Sequence, residues 1–200
     1  RSISKPLDKV LRGQMDPEYF PVALGDMAST INVTDVRGPV DIGSFHVTSA
    51  FMNHPGVTLG YRIEVNGLTI VYATDTEPFG RLFKHTLPDG DPEDVGHRLD
   101  HTLVDLVEGA DLYIGDAQYT SDGYAKKVGW GHSACTDAVE VALRAKAKRF
   151  VLFSHDPMQD DDAVDAKLAQ CRELAASRGG GLEVLAAAEG ASIILPQVVD

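Results

Sequence analysis

Five ionisable side chains stand where extended segments of this sequence stop. His54 follows the alternating run Phe45–Phe51 and precedes Pro55-Gly56, and Asp75 follows Leu68–Ala73. Asp116 closes a short apolar run, and His132 lies in Gly129-Trp-Gly-His-Ser133, just ahead of a helical pattern. His155 follows the run Arg149–Phe153. Polar side chains at strand ends point into a shared mouth rather than into a core. One such residue is ordinarily a cap or a turn residue; five in succession point to a site. Imidazole nitrogen and carboxylate oxygen together suit a borderline divalent ion, zinc first, with manganese and iron as alternatives. An ion of that kind lowers the pKa of bound water to about 7 and so supplies hydroxide at neutral pH.

Apolar periodicity predicts the elements that must hold these groups. Phe45–Phe51 alternates with period two, as a strand does. Gly60–Val65 and Leu68–Ala73 flank Asn66-Gly67, the pair that a type I′ hairpin turn favours. Asp111–Gly115 and the continuous apolar run Arg149–Ser154 predict buried strands. Leu99–Val107, Thr136–Lys146 and Ala163–Ser177 have helical spacing, the last ended by Gly179-Gly180-Gly181. Lys5–Gly13 predicts a short helix, residues 77–98 a long surface loop, and Leu182–Ala187 and Ala191–Leu195 two further strands. Hairpins followed by strands alternating with helices give an α+β fold, layered sheets with helices outside, in one domain over residues 1–200.

Composition narrows the function classes. Of 200 residues, 44% are hydrophobic and 24% charged, which suits a soluble globular domain. Two cysteines, Cys135 and Cys171, exclude a disulfide scaffold and read as small buried hydrophobes. A net charge of −12 argues against an extended basic surface for long nucleic acids. No apolar run approaches the roughly 20 residues of a membrane span. No secretory leader is visible, so the expected location is cytoplasmic; a homo-oligomer is left open.

Taken together, Asn53-His-Pro-Gly56, Gly60-Tyr-Arg-Ile-Glu64, Val71-Tyr-Ala-Thr-Asp-Thr-Glu77, Gly129-Trp-Gly-His-Ser133 and Leu152-Phe-Ser-His-Asp156 resemble the metallo-β-lactamase superfamily. The nearest branch is that of the ribonuclease-Z-like and cyclic-phosphodiesterase-like hydrolases. The resemblance runs from residue 45 to 195 in the family's motif order. It implies an αββα sandwich, of which this chain is the larger, C-terminal part, and a hydrolase with two divalent metal ions, zinc first. His54 is similar to the family's third histidine, a ligand of the first metal. Asp75 resembles the aspartate that bridges the two metals, and His155 the last histidine, a ligand of the second. Asp116 and His132 resemble the acidic–histidine pair that assists proton transfer to the leaving group, with Asp in place of the longer Glu usual in ribonuclease Z. The substrate so implied is a small or cyclic phosphodiester. The alternative is a non-catalytic sensing or interaction domain that keeps the sandwich without a complete metal site.

The family's His-x-His-x-Asp-His signature does not occur in these 200 residues. The nearest string, His97-Arg-Leu-Asp-His101, has a different spacing, follows Asp75 and reads as the exposed start of a helix. Residue 1 is therefore expected to fall after the signature. The chain is then a segment of a longer protein, a domain completed by another chain, or a remnant without catalysis. The Arg1 start and the intact downstream ligands favour the first. Alone, the chain is expected to bind metal weakly and to be inactive.

Other polar and aromatic residues read more plainly. His46, in mid-strand, is structural or exposed. His85 lies in a polar stretch near the expected mouth, as a candidate substrate contact. Trp130 either lines the pocket or packs its loop. Asp160-Asp161-Asp162 lack calcium-loop spacing and instead cap the helix that follows. Tyr19 and Phe20, in a Pro-punctuated loop, are candidates for the rim of the cleft.

Overall fold

The computed structural model describes residues 6–34, 38–86, 92–179 and 181–196. The chain forms two compact units, Arg1–Gly38 and Pro39–Asp200. The first carries helix α1 (Leu7–Gln14), entered through Pro6, whose fixed φ suits the start of a helix. Asp8 in its first turn and Arg12 in its last complement the helix dipole. None of this unit's described residues is buried.

The second unit is built on one seven-stranded sheet in sequential order. Strands β1 (Val40–Ile42), β2 (Phe45–Phe51), β3 (Leu59–Val65) and β4 (Leu68–Ala73) form an antiparallel meander. Asn66 and Gly67 both take positive φ, 51° and 72°, as the predicted type I′ turn demands. Strands β5 (Leu112–Asp116), β6 (Arg149–Phe153) and β7 (Glu183–Ala186) then add in parallel. Parallel neighbours need crossovers. These carry α2 (Phe79–Thr86) and α3 (Pro92–Val107), α4 (Ser121–Tyr124) and α5 (Cys135–Arg144), and α6 (Asp161–Ser177).

Register separates the two faces of the sheet. Val71, Ala73, Tyr113, Phe150, Leu152 and Val184 share one core with Leu106 and Val107 of α3, Val139 and Ala142 of α5, and Cys171 and Ala175 of α6. The opposite face carries Tyr61 paired with Tyr72, and Tyr72 meets Phe153 edge-on at 5.8 Å. Helices over one face of a mixed sheet agree with the α+β sandwich expected from the sequence.

Two segments depart from expectation. Residues 79–86 and 92–98 are helical rather than looped, the latter running into the predicted helix Leu99–Val107; residues 87–91 lie outside the described residues. Gly, Pro and Asp suggested a loop there, yet Pro92 occupies the first helical position, where its missing N–H costs nothing. The Asp100 carboxylate accepts the backbone N–H groups of Phe79 and Gly80 at 2.7 and 3.2 Å, so α3 caps α2. Residues 191–196 join no ladder. Gly190, at φ 75°, sits in a turn closed by Ala191 N–H on Ala188 O at 3.1 Å, which carries the chain out of line with the sheet.

Candidate active site

Antiparallel pairing of β2 with β3 and of β3 with β4 makes β2 and β4 co-directional, and β5 and β6 run the same way. The C-terminal ends of these four strands therefore lie along one edge of the sheet. His54, Asp75, Asp116 and His155 all stand at or just beyond those ends, and His132 lies in the crossover after β5. Asp75 and Ser154 take φ of 54° and 56°, a left-handed conformation that non-glycine residues seldom adopt. Such backbone turns each chain abruptly off its strand.

Asp116 is the hub of the edge. Its buried carboxylate lies 2.6 Å (Oδ2) from Nδ1 of His132. It also accepts backbone N–H groups from Ser133 (3.0 Å), Gln118 (3.3 Å) and Thr76 (3.4 Å). The shorter Asp thus reaches the histidine, because the backbone after Gly131 brings His132 to it. The hydrogen bond with Asp116 raises the His132 pKa above its ordinary value, against burial, which lowers it. Asp75 Oδ1 lies 3.9 Å from the same Nδ1. The His54 ring meets that of His132 edge-on, with centroids 5.6 Å apart.

Sequence reasoning missed Glu77. It is 2% exposed, and its carboxylate accepts the Tyr124 hydroxyl at 2.6 Å, Gly129 N–H at 2.8 Å and Gly131 N–H at 3.0 Å. One buried charge thereby shapes the loop that delivers His132. Burial, then the bond to Glu77, pushes the Tyr124 phenol well above its usual pKa, so it remains a donor. At Gly131, φ 87°, a Cβ atom would collide with His54 and Pro55. Glycine is what lets this loop close on the first predicted ligand.

Lys167 was also missed. It is 1% exposed, and its Nζ donates to Ala117 O (2.8 Å), Gln159 Oε1 (2.9 Å) and Gln118 O (3.2 Å), with His155 Nδ1 at 3.3 Å. The other nitrogen of His155, Nε2, lies 3.2 Å from Ala187 O. Burial and then the Lys167 charge lower the His155 pKa. The signal for Lys167 was present in its helix: Lys167, Cys171 and Ala175 recur every four residues along the buried stripe of α6.

The predicted site residues are thus brought together in part. Among the described residues, Asp75, Asp116 and His132 place one donor atom each within 4.8 Å of one another. Carboxylate and imidazole are donors a divalent ion accepts, so this corner fits a cation, with Asp75 its most open member. Asp116 already receives four donors, which makes it the clamp of the group. His54 adjoins the corner through His132, although its Nδ1 accepts Gly56 N–H at 3.1 Å. His155 stands apart, and it enters a metal shell only by giving up Lys167 or Ala187.

The remaining candidates differ from one another in their surroundings. His46 bonds Asp41 at 2.7 Å across the β1–β2 pair and is half exposed. Asp160 caps α6, accepting Ala163 N–H at 2.9 Å, as predicted. His101 is exposed within α3 rather than at its start; the side chains of His85 and His97 lie outside the described residues. Trp130 is 58% exposed, and Tyr19 and Phe20 are exposed in the first unit. Cys135 and Cys171 are fully buried and free, and the Cys171 thiol is held high by its hydrogen bond to Cys135 and by burial.

Comparison with known proteins places these observations. The profile of the beta-lactamase superfamily domain matches residues 5–155. Ribonuclease Z of Sulfolobus acidocaldarius is 30% identical over 87 residues, 44% of this chain and 22% of that protein. Ribonuclease Z of Sulfurisphaera tokodaii is 31% identical over 101 residues, 50% of this chain and 27% of that protein. The aligned stretches thus span about a quarter of each curated relative. The metallo-beta-lactamase fold protein YhfI from Bacillus subtilis superposes with a TM-score of 0.54 at 20% identity, over 74% of this chain and 49% of that one.

Proposed function

The chain belongs to the beta-lactamase superfamily, and from that membership we propose that it is the metal-dependent hydrolytic part of a phosphodiesterase acting on small or cyclic phosphodiesters. The observation that carries the reading is the buried Asp116 carboxylate 2.6 Å from His132, beside the open carboxylate of Asp75. His54, Asp75 and His155 hold the divalent ions in this reading. When bound, such ions supply Lewis acidity and an activated water at neutral pH.

The protein's own residues do the rest. Asp116 fixes the His132 ring through Nδ1, so the proton available for transfer is the one at Nε2. Its negative charge favours the protonated imidazole, so His132 holds a proton ready for a leaving oxygen. Glu77 keeps the carrier loop closed without touching the reacting atoms. The net charge of −12 repels a long polyanion, which favours a small substrate over a long RNA.

One observation favours the second reading, a non-catalytic sensing or interaction domain: both ring nitrogens of His155 are engaged within the protein. Metal content and hydrolysis of bis-p-nitrophenyl phosphate by the full-length protein separate the two. Two metals per chain, with activity lost in His54→Ala and His155→Ala, support the enzyme. Metal-free, inert protein overturns it.

A further inference from the structure

We propose that Trp130 and Lys127 form a platform beside His132 that stacks a nucleobase and holds its phosphate, so that the phosphodiester is a nucleotide. This rests on the phosphodiester reading above and assigns its substrate class. Trp130 is the chain's one tryptophan and is 58% exposed, an unusual place for so large an apolar ring. It is nevertheless firmly mounted. Gly129 and Gly131, at φ 85° and 87°, flank it and both donate N–H to the buried Glu77 carboxylate. Its own N–H donates to Lys127 O at 3.1 Å. A ring presented to solvent on an anchored backbone loses little further freedom when a ligand covers it.

The charge beside it is equally specific. Lys127 Nζ lies 4.4 Å from the Trp130 ring centroid and 5.2 Å from that of Tyr119, and Tyr119 meets His132 edge-on at 6.2 Å. His132, Tyr119, Lys127 and Trp130 therefore form a continuous series. Among the described residues no carboxylate lies within ion-pair distance of Lys127, so its ammonium is open to an anion in a chain of net charge −12. The exposed indole takes a base, sequence-tolerantly, since every base has a π face. A phosphodiester of simple alkyl groups offers nothing to stack there.

Calorimetric titration of the full-length protein with adenosine 5′-monophosphate and with ribose 5-phosphate tests the platform without reliance on turnover. Adenosine 5′-monophosphate is expected to bind about 10-fold more tightly than ribose 5-phosphate. That preference should vanish in Trp130→Ala and survive in Trp130→Phe, whereas Lys127→Ala should weaken both ligands alike. Equal affinity for the two ligands, no binding of either, or a preference unchanged in Trp130→Ala overturns the platform. Hydrolysis of bis-p-nitrophenyl phosphate is read in parallel. Activity without base preference removes the platform and leaves the hydrolase; base preference in a protein without activity removes the hydrolase and leaves a nucleotide site.

Discussion

Asp116 Oδ2 stands 2.6 Å from His132 Nδ1, while the other oxygen of the same carboxylate takes the backbone N–H of Ser133, the next residue in the chain. The side chain and the following peptide are thus gripped by one group, which fixes both the tilt of the imidazole and its tautomer. If this histidine protonates a leaving oxygen, its worth depends on how badly that oxygen needs a proton. His132→Ala should slow a diester with an alkoxide leaving group by about 100-fold or more, but p-nitrophenyl esters far less, because p-nitrophenolate leaves unaided. Steady-state rates on the two substrate types provide the check; equal losses exclude the acid role.

The same pair makes stability depend on pH. Asp116 raises the His132 pKa, so protonation favours the folded state. This contribution is complete below the unfolded-state value of about 6.5 and is lost as pH rises through the higher folded-state value. The destabilisation caused by His132→Asn should therefore be larger at pH 5.5 than at pH 9. Urea unfolding with chelator present at both pH values measures it, and a larger loss at pH 9 contradicts the assignment.

Glu77 is expected to matter to the fold as much as any core side chain. Removing it strands the buried Gly131 N–H and leaves the Tyr124 hydroxyl and the part-buried Gly129 N–H without this acceptor, so Glu77→Ala should cost about 3 kcal/mol in unfolding free energy. Glu77→Gln can keep an oxygen toward the glycines and turn its amide to the Tyr124 oxygen, so it should lose less. Equal urea midpoints for the two variants contradict this account.

Gly131 and Gly109 allow the steric part of a glycine's role to be isolated. Both have positive φ, 87° and 65°, but an added Cβ at Gly109 meets nothing within 4 Å, whereas at Gly131 it meets His54 and Pro55. Gly109→Ala should cost about 1 kcal/mol, the backbone cost alone. Gly131→Ala should cost roughly 2 kcal/mol more and shift the His54 ring resonances. Similar losses at both sites would show that the contact with His54 and Pro55 contributes nothing.

Much of the site edge is legible in the sequence because strand ends are local. His54, Asp75 and Asp116 are located by the apolar runs that precede them, and His132 by the glycines before it and the helical pattern after it. Glu77 is not legible, because its burial depends on Tyr124, Gly129 and Gly131, which lie 47 to 54 residues downstream. Residues 79–86 and 92–98 mislead for a related reason. Their composition favours a loop, and the Asp100 cap that steadies α2 comes 21 residues after the N–H it accepts. Charge likewise conceals Lys167 among the acidic residues of α6, although helical period places it on the buried stripe.

Lys167 also imposes an order of assembly. The carbonyl of Ala117 in the loop after β5 finds its donor 50 residues later, on α6. During synthesis this loop emerges, together with the aspartate that holds His132, well before the cation that satisfies it. Until α6 docks, the Ala117 and Gln118 carbonyls must remain hydrated. The sheet edge can therefore be drawn early, but its chemistry is set only when the last crossover closes.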